Sequence, residues 1–300
     1  PDYPHPELTS AGTPAMREYL LVAPYNNLAE TRRIITENAA ELAGVIIEPL
    51  QRCTPPQPGF LEGVREACTE ANTLLIFDEV VTGFRLAYGG AQEYYGIVPD
   101  LIAYGKALGG GYPIGAFGGR ADIMEWTNEH RIGGDDYVWM ASTLGGNPIS
   151  TTAANAALGV FRQPGTYDNL HKLGAYLRDG MSKVLALRQI NAQVIGDGPL
   201  AQVVFSTDPV FDYRSTKKGD SAMGRALMLA LFDRGIFLNP MGTKLYISMA
   251  RDEAVYDVLL DRFNYALREN MLASAGFTCR GDCLKEWFGN LKIFRDSCLH

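Results

Sequence analysis

The chain has 300 residues, 47% hydrophobic and 20% charged, with a net charge of −7. That length supports a sizeable core in one large domain or two smaller ones. The negative balance argues against a nucleic-acid or anionic-membrane surface, and no apolar run approaches the length of a membrane span.

Residues 1–27 are rich in Pro, Tyr and small polar residues and read as a loop or linker, with no secretory signal. "LAETRRIITENAAE" (28–41) carries apolar residues at helical spacing and predicts a surface helix. "AGVIIEP" (43–49) predicts a short buried strand ended by Pro49, and "PPQPGF" (55–60) a turn that launches a helix to about Ala71. "TLLIFDEV" (73–80) is a continuous apolar strand ending in carboxylates, and "DLIAYGK" (100–106) and "GAFGG" (115–119) are further short apolar pieces. Strands alternating with helices, without period-2 polarity, predict a mainly parallel sheet covered on both faces. Residues 137–162 read as strand, turn and helix, with Pro148 in the first helical turn. A long helix follows over about 166–190. After "GDGP" (196–199) come a strand "LAQVVFS", a helix over 219–234, a strand "LYISMA" (245–250) and an amphipathic helix over 252–270. This places a partial large domain at 1–164, a smaller C-terminal α+β domain at 165–271 and an unassigned tail at 272–300.

The tail holds three of the five cysteines, Cys279, Cys283 and Cys298; the others are Cys53 and Cys68. The odd number and long chain point to a reducing cytoplasm rather than a disulfide scaffold. Cys279 and Cys283 lack a second pair at zinc spacing, so no metal site is expected. The four histidines, His5, His130, His171 and His300, form neither a zinc nor a serine-triad pattern.

Two stretches carry chemistry. "AYGKALGGGYPIGAFGG" (103–119) sets Lys106 after an apolar run in a stretch that holds seven glycines. "IFDEVVTGF" (76–84) ends a strand at Asp78 and Glu79, and in parallel sheets ligands gather at the carboxyl ends of strands. Asp78 and Lys106 at two strand ends read either as an ion pair or as the two ends of one cofactor. Pyridoxal phosphate needs such a pair: an amine for its aldehyde and a carboxylate to keep its ring nitrogen protonated. Its phosphate needs hydroxyls and backbone N–H groups near a helix start, and "STLGGNP" (142–148) offers Ser142, Thr143 and glycine backbone, or else a plain capping turn. The glycine tract is not launched as a dinucleotide fingerprint, and Ala107 after Lys106 breaks the P-loop pattern. Glu48 reads equally as a strand-end or a site residue, and Arg85 reads as a surface ion pair more readily than as a substrate contact.

"GVIIEP", the run from "PPQPGFLEGVREACTEAN" through "LLIFDEVVTGFRLAYGGAQEYYGIVPDLIAYGKALGGGYPIGAFGGRADIME", and "STLGGNP" resemble the class-III pyridoxal-phosphate aminotransferases. The subgroup containing glutamate-1-semialdehyde 2,1-aminomutase is especially similar. The resemblance runs from about residue 19 to about 270. It implies an α/β type-I aminotransferase fold, with an incomplete large domain, and a homodimer with shared active sites. It implies Lys106 as Schiff-base lysine and proton shuttle, Asp78 on the pyridine nitrogen, Val80 against the ring face, and Thr143, beside Ser142, on a phosphate that in this family is usually the partner subunit's. The substrates implied are a small-molecule amino donor and a carbonyl acceptor.

Departures matter. The family's long N-terminal part, with its phosphate-gripping loop and ring-stacking aromatic, has no counterpart here. Val81 stands where many ω-aminotransferases have Gln. "MGTKLYISMA" lacks the Glu of the aminomutase pattern, which favours transamination over the mutase reaction, with a truncated non-catalytic relative as a third expectation.

Overall fold

The computed structural model describes residues 3–4, 18–238 and 243–273, with side chains to residue 268. Helix α1 (Leu28–Glu37) starts at Asn27, whose side chain accepts from the Glu30 N–H at 3.2 Å. Strand β1 (Gly44–Ile47), helix α2 (Phe60–Glu70) and strand β2 (Leu74–Glu79) form a crossover unit, so β1 and β2 are parallel. After a long turn and the short helix α3 (Ala91–Tyr95), β3 (Leu101–Tyr104) adds in parallel to β2. A glycine-rich turn then returns β4 (Ala116–Gly119) antiparallel to β3, giving the order β1-β2-β3-β4.

Alternation along β2 decides what faces inward. Leu75, Phe77 and Glu79 are buried, whereas Leu74, Ile76 and Asp78 are half-buried. Leu75, Phe77 and Ile102 pack against Ile35 of α1 and Phe60, Leu61, Val64, Ala67 and Cys68 of α2. Each such large side chain stabilises the fold by about 1.5–3 kcal/mol. The other face differs from the expected sheet covered on both sides. Ile46, in register with Ile76, is 66% exposed, and Phe117, in register with Ala103, is 47% exposed. Helices α1 and α2 both take the Leu75–Phe77 face, which leaves these side chains bare.

Beyond β4, the short helix α4 (Ala121–Met124) precedes an irregular stretch. The strand expected from Tyr137 to Ser142 does not form. Val138, Trp139 and Met140 are exposed, and the Val138 N–H donates to the Trp126 carbonyl at 2.8 Å rather than to a neighbouring strand. Helix α5 (Pro148–Phe161) follows, capped by the Asn147 side chain on the Ser150 N–H at 2.9 Å.

The second sheet is antiparallel, β5 (Gln193–Ile195), β6 (Leu200–Val204) and β7 (Lys244–Tyr246) in that order. Helices α6 (Thr166–Leu187), α8 (Ser221–Phe232) and α9 (Glu253–Ala273) share a core with it, built on Leu177, Met181, Leu227, Leu231, Phe263 and Leu267. A short helix α7 (Tyr213–Lys217) lies between β6 and α8. The pieces β5, α3, α4 and α7 are too short for periodicity to announce. Leu50, Cys53 and Leu86 from the first sheet's loops and Ala91 of α3 pack with Leu200 of the second, so the two sheets share a smaller core. Most of the expected N-terminal loop and nearly all of the tail, with Cys279, Cys283 and Cys298, lie outside the described residues.

Candidate active site

The candidate site lies at the carboxyl ends of β2 and β3. Asp78 pairs in register with Ala103, and Glu79 with Tyr104. Lys106 comes two residues after β3 ends and opens a 3-10 turn, Lys106–Gly109. Neighbouring strands lie about 4.8 Å apart, so carboxylate and amine belong to adjoining strand ends.

Lys106 has φ +43°, in the left-handed region that a side-chain-bearing residue seldom adopts. Such strain is characteristic of functional positions whose surroundings over-determine the backbone. Gly105 before it is extended and buried, and the γ-methyl of Val80 lies 3.4 Å from where a Cβ on Gly105 would stand. The apolar Val80 side chain therefore borders the approach to Lys106. Gly110, with φ +57°, closes the turn and leaves little room beyond: an added Cβ would lie 3.2 Å from the Ala157 Cβ of α5.

The alternation of β2 assigns its two carboxylates to different roles. Glu79 is fully buried and accepts from the Thr82 hydroxyl at 3.0 Å and from the Ala91 and Gln92 N–H groups at the start of α3. It caps a buried helix end. Burial pushes its carboxyl up, against the lowering effect of those hydrogen bonds. Gly90, with φ +83°, admits this cap, since an added Cβ would collide with the Glu79 carboxylate. Asp78 is half-buried, and its Oδ1 accepts the Val80 N–H at 3.0 Å. Its other oxygen has no hydrogen-bond partner among the described residues, and neither does Lys106 Nζ. Asp78 and Lys106 thus do not neutralise one another.

An amine and a carboxylate oxygen, both uncommitted at adjoining strand ends beside an apolar side chain, fit a planar cofactor with an aldehyde and a basic ring nitrogen. Pyridoxal phosphate has that chemistry.

The loop before α5 is separate. Ser142 and Thr143 are exposed; Ser142 Oγ accepts the Gly145 N–H at 3.0 Å, and no hydrogen bond joins either residue to Asp78, Val80 or Lys106. The capping turn weighed for this loop is present, with Asn147 rather than Ser142 or Thr143 as the cap. The loop runs into α5, which packs on the Lys106–Gly109 turn.

The structure places the two residues whose roles the sequence left open, Glu48 and Arg85. Glu48 closes the loop after β1 by accepting the Arg52 N–H at 3.2 Å. Arg85 is half-buried, and no carboxylate pairs with it among the described residues, contrary to the surface ion pair expected. No periodicity marks Arg85, because its surroundings come from β7, far along the chain. Among the described residues no cluster of His, Cys, Asp and Glu is arranged to hold a metal ion. No helix among them is long and apolar enough to cross a membrane.

Known proteins extend this geometry. The chain is 42% identical to a glutamate-1-semialdehyde 2,1-aminomutase of Pelotomaculum thermopropionicum over 238 residues, covering 77% of this chain and 53% of that protein. It is 38% identical to the aminomutase of Roseiflexus castenholzii, covering 85% and 59%. It superposes on an ω-transaminase from Sphaerobacter thermophilus with a TM-score of 0.80 at 34% identity, covering 87% of this chain and 60% of the other. A β-phenylalanine aminotransferase from Variovorax paradoxus follows, with a TM-score of 0.76 at 31% identity, covering 84% and 58%. The chain spans a little over half the length of these relatives. These likenesses establish the type-I aminotransferase fold expected from the motifs. The family model "Aminotransferase class-III" matches residues 9–267, and with it this chain belongs to the class-III aminotransferases, a family of pyridoxal-phosphate-dependent enzymes.

Proposed function

We propose that this chain carries the cofactor-anchoring half of a pyridoxal-phosphate-dependent transamination between an amino donor and a carbonyl acceptor. The observation that supports it most directly is the pair of uncommitted groups, Asp78 and Lys106, at the ends of adjoining parallel strands. When bound, pyridoxal phosphate supplies an electron sink for the bond-breaking step. Lys106 Nζ would hold it by condensing with its aldehyde, with loss of water, and as a free amine would move the proton at the substrate carbon. The Asp78 carboxylate holds the ring nitrogen in its protonated form, since a neighbouring negative charge favours the cation. Val80 supports the ring face. Thr143, with Ser142 beside it, binds phosphate across a homodimer interface, a reading consistent with the exposure of both residues and their distance in the chain from the other site groups.

We further propose a cytoplasmic homodimer and a division at residues 164/165 into a partial large domain and a smaller C-terminal domain; the two separate cores support that division. The curated relatives are named as aminomutases and the solved neighbours as transaminases. The missing glutamate ahead of β7 favours transamination.

The test is absorbance. Added pyridoxal phosphate should give the purified chain a yellow Schiff-base band that an amino-acid donor bleaches and an acceptor restores. Lys106→Ala should lack the band while remaining folded; an unchanged spectrum in that variant would refute the assignment. Turnover without any external acceptor would identify a mutase instead, and a wild-type chain that stays colourless would indicate a non-catalytic relative.

A further inference from the structure

Arg85 is a charged group that the proposed chemistry leaves without a task. Its Nε donates to the Val81 carbonyl at 3.0 Å, and its guanidinium carbon lies 5.3 Å from the centre of the Tyr246 ring. Its two terminal nitrogens have no acceptor among the described residues. Burial pulls the guanidinium below its usual range, the mark of a cation held partly out of water. A half-buried cation with no counter-charge is costly, and an anion would relieve the cost.

The surroundings are cationic too. Lys244 sits two residues before Tyr246 on β7, hence on the same face of the strand. Burial lowers its ammonium pKa, and the charge of Arg52 lowers it further. Arg52 follows β1 with φ +60° and lies over the Tyr213 ring, 5.9 Å from its centre. Cys53, whose buried thiol is pushed up to about 12 by desolvation, feels both Lys244 and Arg85. Glu48 is the acid that faces this group, and it is engaged by the Arg52 N–H. Lys217 adds a further positive charge near Lys244, so four cations meet one carboxylate.

Position ties this group to the candidate site. Ile47 pairs with Phe77, so Glu48 is level with Asp78 at the strand ends. Lys106 stands on the β3 side of Asp78, and the cations stand on the β1 side, between the first sheet's loops and β7.

We propose that Arg85, flanked by Arg52 and Lys244, binds the carboxylate of a small organic anion, which under the transamination reading is the carboxylate of an amino-acid substrate. The planar guanidinium fork matches a carboxylate edge-on with two parallel hydrogen bonds. Nε and the Tyr246 ring hold the fork in place and leave its terminal edge free. The identity of the anion as substrate rests on the transamination reading; the binding site does not.

The test is calorimetric titration of the full chain, free of cofactor, with succinate, and with inorganic phosphate in parallel. Saturable succinate binding, stronger than phosphate binding, is expected. Arg85→Gln should weaken it by about 10- to 100-fold, as loss of a charged hydrogen-bond pair does, and Arg85→Lys by less. Lys106→Ala should bind succinate as the parent does, so failure of the transamination reading and failure of this one are told apart. If Arg85→Gln does not fold, Lys244→Met and Arg52→Ala serve, each expected to weaken binding several-fold. The proposal is overturned if the parent chain shows no saturable succinate binding, if phosphate binds as tightly, or if the folded variants bind succinate as the parent does.

Discussion

Asp78 and Glu79 are adjacent carboxylates with opposite fates. One points half-buried toward Lys106's end of the sheet, and the other is sealed beneath α3 with three donors aimed at it. Every group that meets Glu79 is a donor, so the position requires an acceptor at both oxygens. Glu79→Gln sets an amide NH2 against a buried N–H or hydroxyl. The expected loss is about 1–3 kcal/mol of stability, read as a lower urea midpoint with little change in slope. Asp78, by contrast, has one oxygen left over among the described residues, which is a poor arrangement for stability and a suitable one for binding. Alternation announced that the two must face opposite ways. It did not say which would be covered, because that is settled by where α3 packs.

At the level of elements, Asp100 joins the start of β3 to its neighbours. It accepts from the Leu75 N–H of β2 at 2.8 Å, from Arg65 of α2 at 2.7 Å and from Arg120 after β4 at 3.0 Å. Burial alone would raise its carboxyl, but the Leu75 hydrogen bond and the two guanidinium groups together hold it below its usual range. A depressed folded pKa means stability that is present above the unfolded value of about 3.9 and is lost as pH falls through the folded value. The parent should therefore lose urea resistance as pH drops below about 4. Asp100→Asn should be less stable by about 1–3 kcal/mol at neutral pH, because the partly buried Arg65 loses its counter-charge, while the exposed Arg120 keeps Asp122. Its stability should also change less across the acid window. Parallel pH profiles for the two proteins would contradict this account.

Across the whole molecule, the two sheets are joined by polar ties as well as by the shared Leu50–Leu86–Leu200 core. Asp197, ahead of β6, accepts from the hydroxyls of Tyr94 and Tyr95 on α3 at 2.9 and 3.0 Å. Burial and the Asp197 charge push the Tyr94 phenol up to about 12. His171 of α6 meets the Leu86 carbonyl at 2.7 Å, and Cys53 Sγ faces the Ala201 carbonyl at 3.7 Å. Asp197→Ala removes one acceptor from two hydroxyls, and a loss of about 1–2 kcal/mol is expected. Hydrogen exchange should quicken in 91–95 and 196–199 together, and quickening confined to one segment would show that Asp197 does not couple the sheets. The same joint carries Arg85 and Lys244, so the proposed carboxylate site depends on the two sheets keeping their relation.

The amino-acid sequence alone determined the alternation of strands and helices, the glycine turn after Lys106 and the pairing of Lys106 with Asp78 as candidates. Apolar period, punctuation and strand-end position are local properties, written within a few residues. Only the tertiary structure decided that Glu79 is a buried cap, that 137–142 forms no strand, that Ile46 and Phe117 stay exposed and that Arg85 has no carboxylate partner among the described residues. Each of those depends on which distant segment packs alongside: α3 for Glu79, an absent neighbour for Val138 and Trp139, α1 and α2 on a single face for Ile46, and β7 for Arg85. Packing partners are chosen by the collapse of the whole chain, and no local window of sequence contains them.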